Sequence, residues 1–303
     1  MGERRRSNQE QVMVGVDGSP GSLAAVRLGA WEAKRRHLPL LLVHGYLEPM
    51  PAASYGWAPY QPASHAVRDD ARGMLTEIEL RTRAEYPGLS VRSTAVAGGG
   101  ASTLVELSRA ANLVLVGSRG QGGFAGLMIG SVGAQVATHA HAPVIVVRDG
   151  GDGPGEILAD RPVLIGVDGS PASAAAIDFA FDEAAARGVP LLAVTTWWVA
   201  PVTGAVPIPS LSDQNGVEQA NADRMLTEAL AAWSQKYPDV PVRRLVRNDV
   251  SPEWTLIEAS RDASLAVVGS RGRGGFARLV LGSTSRALVG HAHCPVAVIR
   301  DRA

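Results

Sequence analysis

VGSRGQGGFAGLMIGS at 116–131 and VGSRGRGGFARLVLGS at 268–283 are two copies of one glycine-spaced stretch, half a chain apart. Outward from them the copying continues. VMVGVDGSPGSLAAV at 12–26 matches VLIGVDGSPASAAAI at 163–177, an offset of 151. TLVELSRAANLVLVGSRG at 103–120 matches TLIEASRDASLAVVGSRG at 255–272, and HAHAPVIVVRD at 139–149 matches HAHCPVAVIRD at 291–301, both offset by 152. A repeat of this length is a whole domain rather than a solenoid unit. The 303-residue chain therefore reads as a duplication: a polar tail at 1–10, a first domain at 11–149, a linker at 150–161 and a second domain at 162–303. The linker GGDGPGEILADR carries glycine, proline and acids without periodicity.

Within the first copy, VMVGV, LPLLLVH, VRSTAV, NLVLVG and PVIVVR are candidate strands. Their near-continuous valine and leucine content fits strands covered on both faces, as in a parallel sheet. Residues 20–36, 64–86, 101–110 and 131–140 read as helices between them, and 47–63 and 198–216 as long irregular segments. The fold class is α/β: two tandem doubly wound, Rossmann-like domains, each a five-stranded parallel sheet with helices on both faces. Ligands of such sheets sit beyond the carboxyl ends of the strands, where the winding reverses. Asp17-Gly18-Ser19 closes the first strand and the glycine stretch closes the fourth, so a shared ligand requires strands one and four to be neighbours.

Composition narrows the function. Twenty-nine basic residues balance 29 acidic ones, which gives no global electrostatic case for nucleic acid or a membrane surface. The N-terminal MGERRRSNQEQ has no apolar stretch behind it to make a signal peptide, and no run reaches transmembrane length. A single cysteine, Cys294, rules out an internal disulfide and suits a reducing compartment, so the expected location is the cytoplasm.

The glycine spacing is G-x2-G-x9-G-S in both copies: Gly117, Gly120, Gly130 and Ser131, then Gly269, Gly272, Gly282 and Ser283. The first two glycines let the backbone turn close to a ligand. The Gly-Ser pair opens a helix with Ser131 or Ser283 as the expected N-cap, where free N–H groups attract an anion such as a triphosphate. A P-loop is excluded because no lysine accompanies either stretch. A dinucleotide fingerprint is superficially met by Gly120, Gly122 and Ala125 and by Gly272, Gly274 and Ala277, but no acid follows from 121 to 148 or from 273 to 300 to hold a ribose. Glycines used only for close packing of helix on sheet remain the alternative.

With these motifs in order twice, the chain resembles tandem universal stress proteins of the ATP-binding branch, GVDGSP and HAHCPV being the other landmarks. The resemblance implies an ATP site in each domain. In the first, Gly15 and Val43 would line the adenine pocket, Val116 would flank it, and Gly117, Gly120, Gly130, Ser131 and Val132 would hold ribose and phosphates. The second site would be Gly166, Val194, Val268, Gly269, Gly272, Gly282, Ser283 and Thr284. Asp17 and Asp168 would lie near phosphate, ribose or a bound Mg²⁺. Turn and helix-capping chemistry is the other use of these aspartates. A carboxylate beside polyphosphate needs a cation between them, which makes Mg²⁺ the natural companion.

The implied function is ATP-dependent regulation, with the nucleotide biasing a conformation or assembly state seen by a protein partner. No nucleophile, histidine base or lysine clamp accompanies the cradle, so at most slow hydrolysis is expected. A phosphoryl or adenylyl transferase is the enzymatic alternative. The final strands, VIVVRD and VAVIRD, are the expected homodimer edges. Arg271, Arg273 and Arg278 against the single Arg119 make the second site the expected tighter one. Tyr55, Trp57, Tyr60, Trp197 and Trp198 sit in or beside the long irregular segments as candidate covers over adenine. His139, His141, His291 and His293, with Cys294, raise a metal reading, against which helix-end histidines complement the dipole unaided.

Overall fold

The computed structural model describes residues 11–47, 61–120, 129–148, 160–198, 211–272 and 281–300. The chain divides into two compact units, Met1–Pro154 and Gly155–Ala303. In the first, strands β1 (Val12–Gly15), β2 (Leu40–Tyr46), β3 (Val91–Ala97), β4 (Leu113–Gly117) and β5 (Val144–Val147) alternate with helices α1 (Pro20–Arg35), α2 (Gln61–Glu85), α3 (Gly100–Leu107) and α4 (Ser131–His139). The second unit repeats the order with β6 (Val163–Gly166), α5 (Pro171–Arg187), β7 (Leu191–Trp197), α6 (Leu211–Lys236), β8 (Val242–Asn248), α7 (Pro252–Ala259), β9 (Leu265–Gly269), α8 (Ser283–His291) and β10 (Val296–Ile299).

All strands are parallel, in the order β3-β2-β1-β4-β5 in the first unit and β8-β7-β6-β9-β10 in the second. Strands one and four are therefore neighbours in each unit, as a shared ligand at their ends requires. Winding runs one way through β2 to β3 and the other way through β4 to β5, so right-handed crossovers put α1 and α2 on one face and α3 and α4 on the other. The packing agrees, α1 lying against α2 and α3 against α4. Consecutive residues of the central strands, Val12-Met13-Val14 and Leu113-Val114-Leu115, have no exposed surface, which is why their sequence is continuous rather than alternating.

Helices α1 and α5 begin where capping chemistry directs. The hydroxyls of Ser19 and Ser170 accept from the N–H of Ser22 (3.2 Å) and Ser173 (3.3 Å), and Pro20 and Pro171 hold the first helical position. Two expectations need correction. Helices α2 and α6 start at Gln61 and Leu211, inside the stretches read as irregular, because polar residues at a helix start carry no apolar period. The N-caps of α4 and α8 are Gly130 and Gly282, not the serines that follow; hydrogen bonds from their N–H groups to Ser118 O (2.7 Å) and Ser270 O (2.8 Å) fix the helix start one residue earlier. Tyr55, Trp57, Tyr60, Gly122, Ala125, Arg273, Gly274, Ala277, Arg278, residues 1–10 and most of the linker lie outside the described residues.

Candidate functional site

Each first-strand turn is built in the same way. Asp17 Oδ1 accepts from the Ser19 N–H at 3.0 Å and the Ser19 hydroxyl at 2.6 Å. Asp168 Oδ1 accepts from the Ser170 N–H at 2.9 Å and the Ser173 hydroxyl at 3.1 Å. Gly18 and Gly169 pass through the left-handed region at φ 80° and 74°, which a side chain would strain. Turn chemistry thus accounts for one carboxylate oxygen of each aspartate. The other, Oδ2 of Asp168, lies 2.5 Å from where a Cβ on Gly272 would stand, and Asp17 meets Gly120 in the same way.

The three glycines of the repeated stretch have different physical reasons. A Cβ at Gly117 would stand 2.7 Å from the carbonyl carbon of Gly21 and 2.8 Å from the amide nitrogen of Ser22, so the end of β4 packs directly on the first turn of α1. Gly269 meets the Ala172 carbonyl oxygen at 3.1 Å. Gly120 and Gly272 make room for the aspartates. These two pairs answer to protein contacts, a role the sequence reading gave only to its packing alternative. Gly130 and Gly282 differ. Their φ values, −72° and −66°, suit any residue, and among the described residues a Cβ at either would find nothing nearer than 3.5 Å and 3.6 Å.

Gly282 borders a cavity of about 540 Å³ at the carboxyl edge of the second sheet. All nine residues named from sequence for the second site line it: Gly166, Asp168, Val194, Val268, Gly269, Gly272, Gly282, Ser283 and Thr284. One wall is apolar, with Val194, Val268, Leu256 and Met225; Asp168 is the only carboxylate among the described lining residues. The opposite rim is the start of α8. There the first intrahelical bond is from Arg286 N–H to Gly282 O, which leaves the N–H groups of Ser283, Thr284 and Ser285 ahead of the ladder. The hydroxyls of Thr195, Thr196, Ser283 and Thr284 line the cavity and have no hydrogen-bond partner among the described residues. Arg271 also lines it, and burial, with the Arg271 charge added, lowers the proton affinity of the neighbouring Arg300. Arginine stays charged under such a shift, so this corner is a fixed positive field.

The first unit gathers the same set. Gly15 pairs in register with Val43, and a Cβ on it would stand 3.2 Å from Val116. Gly117 ends β4, Gly120 abuts Asp17, and Gly130 sits over the backbone of Ser118 and Gly120. Ser131 and Val132 open α4, and Val132 is 39% exposed. At the position of Thr195 stands His44, whose Nδ1 donates to the Val16 carbonyl at 2.6 Å.

Sequence reading missed Thr195, Thr196, Met225, Pro252 and Leu256 as lining residues. The duplication holds a signal for two of them. Met74 and Met225 correspond at offset 151, and Leu104 and Leu256 at offset 152, far from any glycine motif. As for a metal, no group of three or more histidine, cysteine, aspartate or glutamate residues stands together among the described residues. His139 and His291 close α4 and α8, and Cys294 is buried. No described helix is long and apolar enough to cross a membrane.

The comparisons agree with this doubled geometry. The model of the universal stress protein family matches residues 9–148 and again 161–300. The chain belongs to that family. A universal stress protein of Mycobacterium tuberculosis is 39% identical over 300 residues, covering 97% of this chain and 98% of its own. Another, from Mycolicibacterium smegmatis, is 37% identical over 301 residues, covering 96% and 97%. The crystal structure of a universal stress protein from Archaeoglobus fulgidus shares the fold at 17% identity, with a TM-score of 0.69 over 96% of this chain and 98% of that one.

Proposed function

We propose that each unit binds ATP at the carboxyl edge of its sheet, and that the bound nucleotide biases a conformation or assembly state read by a protein partner in the cytoplasm. The observation that carries this is Gly282, repeated at Gly130. Neither backbone conformation nor packing among the described residues asks for glycine there, yet both copies have it beside the open N–H groups of a helix start. A ligand that approaches the backbone supplies the missing reason. Phosphates at that rim would meet three N–H groups, the positive helix end and Arg271. The apolar wall of Val194, Val268 and Leu256 suits a purine face.

The cavity also fits a cation with the nucleotide. Asp168 is the single carboxylate among its described lining residues, and a Mg²⁺ site in such proteins takes one or two carboxylates plus substrate phosphates. When bound, Mg²⁺ would neutralise the repulsion between carboxylate and polyphosphate; Asp168 and, in the first unit, Asp17 would hold it. The assembly proposed with this reading is a homodimer.

The test is to denature freshly purified protein and measure released nucleotide, then to repeat with Gly130→Ala and Gly282→Ala. Near two ATP per chain, with one lost in each variant and melting temperature kept, is the expected result. No nucleotide, and none taken up from added ATP and Mg²⁺, would overturn the proposal.

A further inference from the structure

The two units differ at the carboxyl edge of the sheet where their sequences diverge. Thr195 is 3% exposed and lines the second cavity, and its hydroxyl has no hydrogen-bond partner among the described residues. That hydroxyl is open to the cavity rather than sealed in the interior, so a polar ligand that reaches it adds a hydrogen bond that no protein group has to give up. Thr196 stands beside it on β7, and Thr284 is the second residue of α8, at the rim of open N–H groups.

The first unit has none of these hydroxyls. His44 replaces Thr195, and its Nδ1–H is already committed to the Val16 carbonyl. Gly45 replaces Thr196, and a Cβ there would stand 2.7 Å from the Gly100 Cα, so that wall is closed by the backbone at the start of α3. Val132 replaces Thr284 and offers only methyl groups.

Resting on the nucleotide reading above, we propose that the two units are unequal sites, the second holding ATP more tightly through the hydroxyls of Thr195, Thr196 and Thr284. A hydroxyl both donates and accepts, so each can serve a base edge, a ribose or a phosphate oxygen. A net hydrogen bond changes affinity by roughly 2- to 10-fold, and the set should separate the sites by on the order of tenfold or more.

The experiment isolates each site in the full chain. Gly130→Val fills the first cradle and Gly282→Val the second, at backbone conformations that accept any residue. Nucleotide-free protein is titrated calorimetrically with ATP and Mg²⁺. The Gly130→Val chain should bind at least about tenfold tighter than the Gly282→Val chain. Adding Thr195→Val to the former should weaken binding several-fold, while the ligand-free melting temperature stays level because the hydroxyl bonds to no described residue. Equal affinities, or a tighter first site, overturn the inequality and leave the nucleotide reading intact. A lowered melting temperature with unchanged affinity gives Thr195 a structural role and overturns its assignment. An unmodified chain that takes up no ATP overturns the reading beneath.

Discussion

The carboxylate of Asp168 occupies the space that any side chain at Gly272 would need, and Asp17 and Gly120 repeat the relationship 151 and 152 residues earlier. The turn after the first strand and the turn after the fourth are thereby locked together, with the aspartate as the piece between. This couples two motifs about 100 residues apart in sequence and explains why the glycine cannot drift along its loop. The lock is testable. Gly272→Ala should push the carboxylate off its bonds to the Ser170 N–H and Ser173 hydroxyl, at about 1–3 kcal/mol. In the Asp168→Ala background the same change should cost much less, because the clash has gone. Urea unfolding of both singles and the double gives the coupling; additive losses would count against the lock.

A second prediction separates glycines that look identical in sequence. Gly117→Ala meets backbone on both Gly21 and Ser22, and backbone cannot swing aside as a side chain tip can. Gly269→Ala meets the Ala172 backbone at 3.1–3.2 Å, where a shift of a few tenths of an ångström suffices. Both should destabilise, the first by about 2–3 kcal/mol and the second by about 1 kcal/mol. Thermal unfolding of the two variants should preserve that order.

The strands and their parallel order were legible because burial on both faces writes an unbroken run of valine and leucine. The neighbouring of β1 and β4 was legible from chemistry alone, since two ligand-facing turns must meet. What sequence concealed was the reason for each glycine. Gly117 answers to residues 21 and 22, and nothing in its own neighbourhood names that partner. The cap at Gly282 was assigned to Ser283 because serine caps better than glycine by propensity; the hydrogen bond to the Ser270 carbonyl, a tertiary constraint, decides otherwise. Thr195 and Thr196 were invisible as site residues because the first copy has His44 and Gly45 in their places.

A third prediction concerns a buried ion pair. Glu183 is fully buried and takes Arg187, itself 2% exposed, at 2.8 Å. Its counterpart Glu32 takes two arginines, Arg35 at 2.8 Å and Arg36 at 3.0 Å, each 17% exposed. Removing one partner of a buried pair leaves a charge short of compensation, at roughly 3–5 kcal/mol. Arg187→Met should approach that cost. Arg36→Met should cost well under half as much, since Glu32 keeps Arg35. Denaturant unfolding of the two variants decides the matter.

Acid should act on the start of α7. Asp249 accepts from the Thr255 hydroxyl at 2.5 Å and the Ser251 N–H at 2.9 Å, and these bonds, the hydroxyl first, hold its carboxyl below the ordinary carboxylate value of 3.8. A depressed folded-state value means the stabilisation is complete above the unfolded value and fades as pH falls through the folded one. The group is well solvated, so the effect is small. Asp249→Asn should be less stable than the parent at neutral pH, and the gap should close as pH drops below 3.8. A gap that persists unchanged in acid would assign the effect to shape rather than charge.

The last prediction concerns Arg271, which lines the second cavity within the field of Arg300. A guanidinium on the cavity wall gains from an anion placed beside it, and the gain grows with the ligand's charge. If ATP binds as proposed, Arg271→Gln should weaken it by about tenfold or more and AMP by much less, because hydrogen bonds to charged groups are worth roughly 1.5–3 kcal/mol. Raising salt from low to physiological strength should shrink the difference by screening. Calorimetric titration in the Gly130→Val background, with both nucleotides at two salt concentrations, reads the effect from one site. Equal losses for ATP and AMP would move Arg271 away from the outer phosphates and toward the ribose or base.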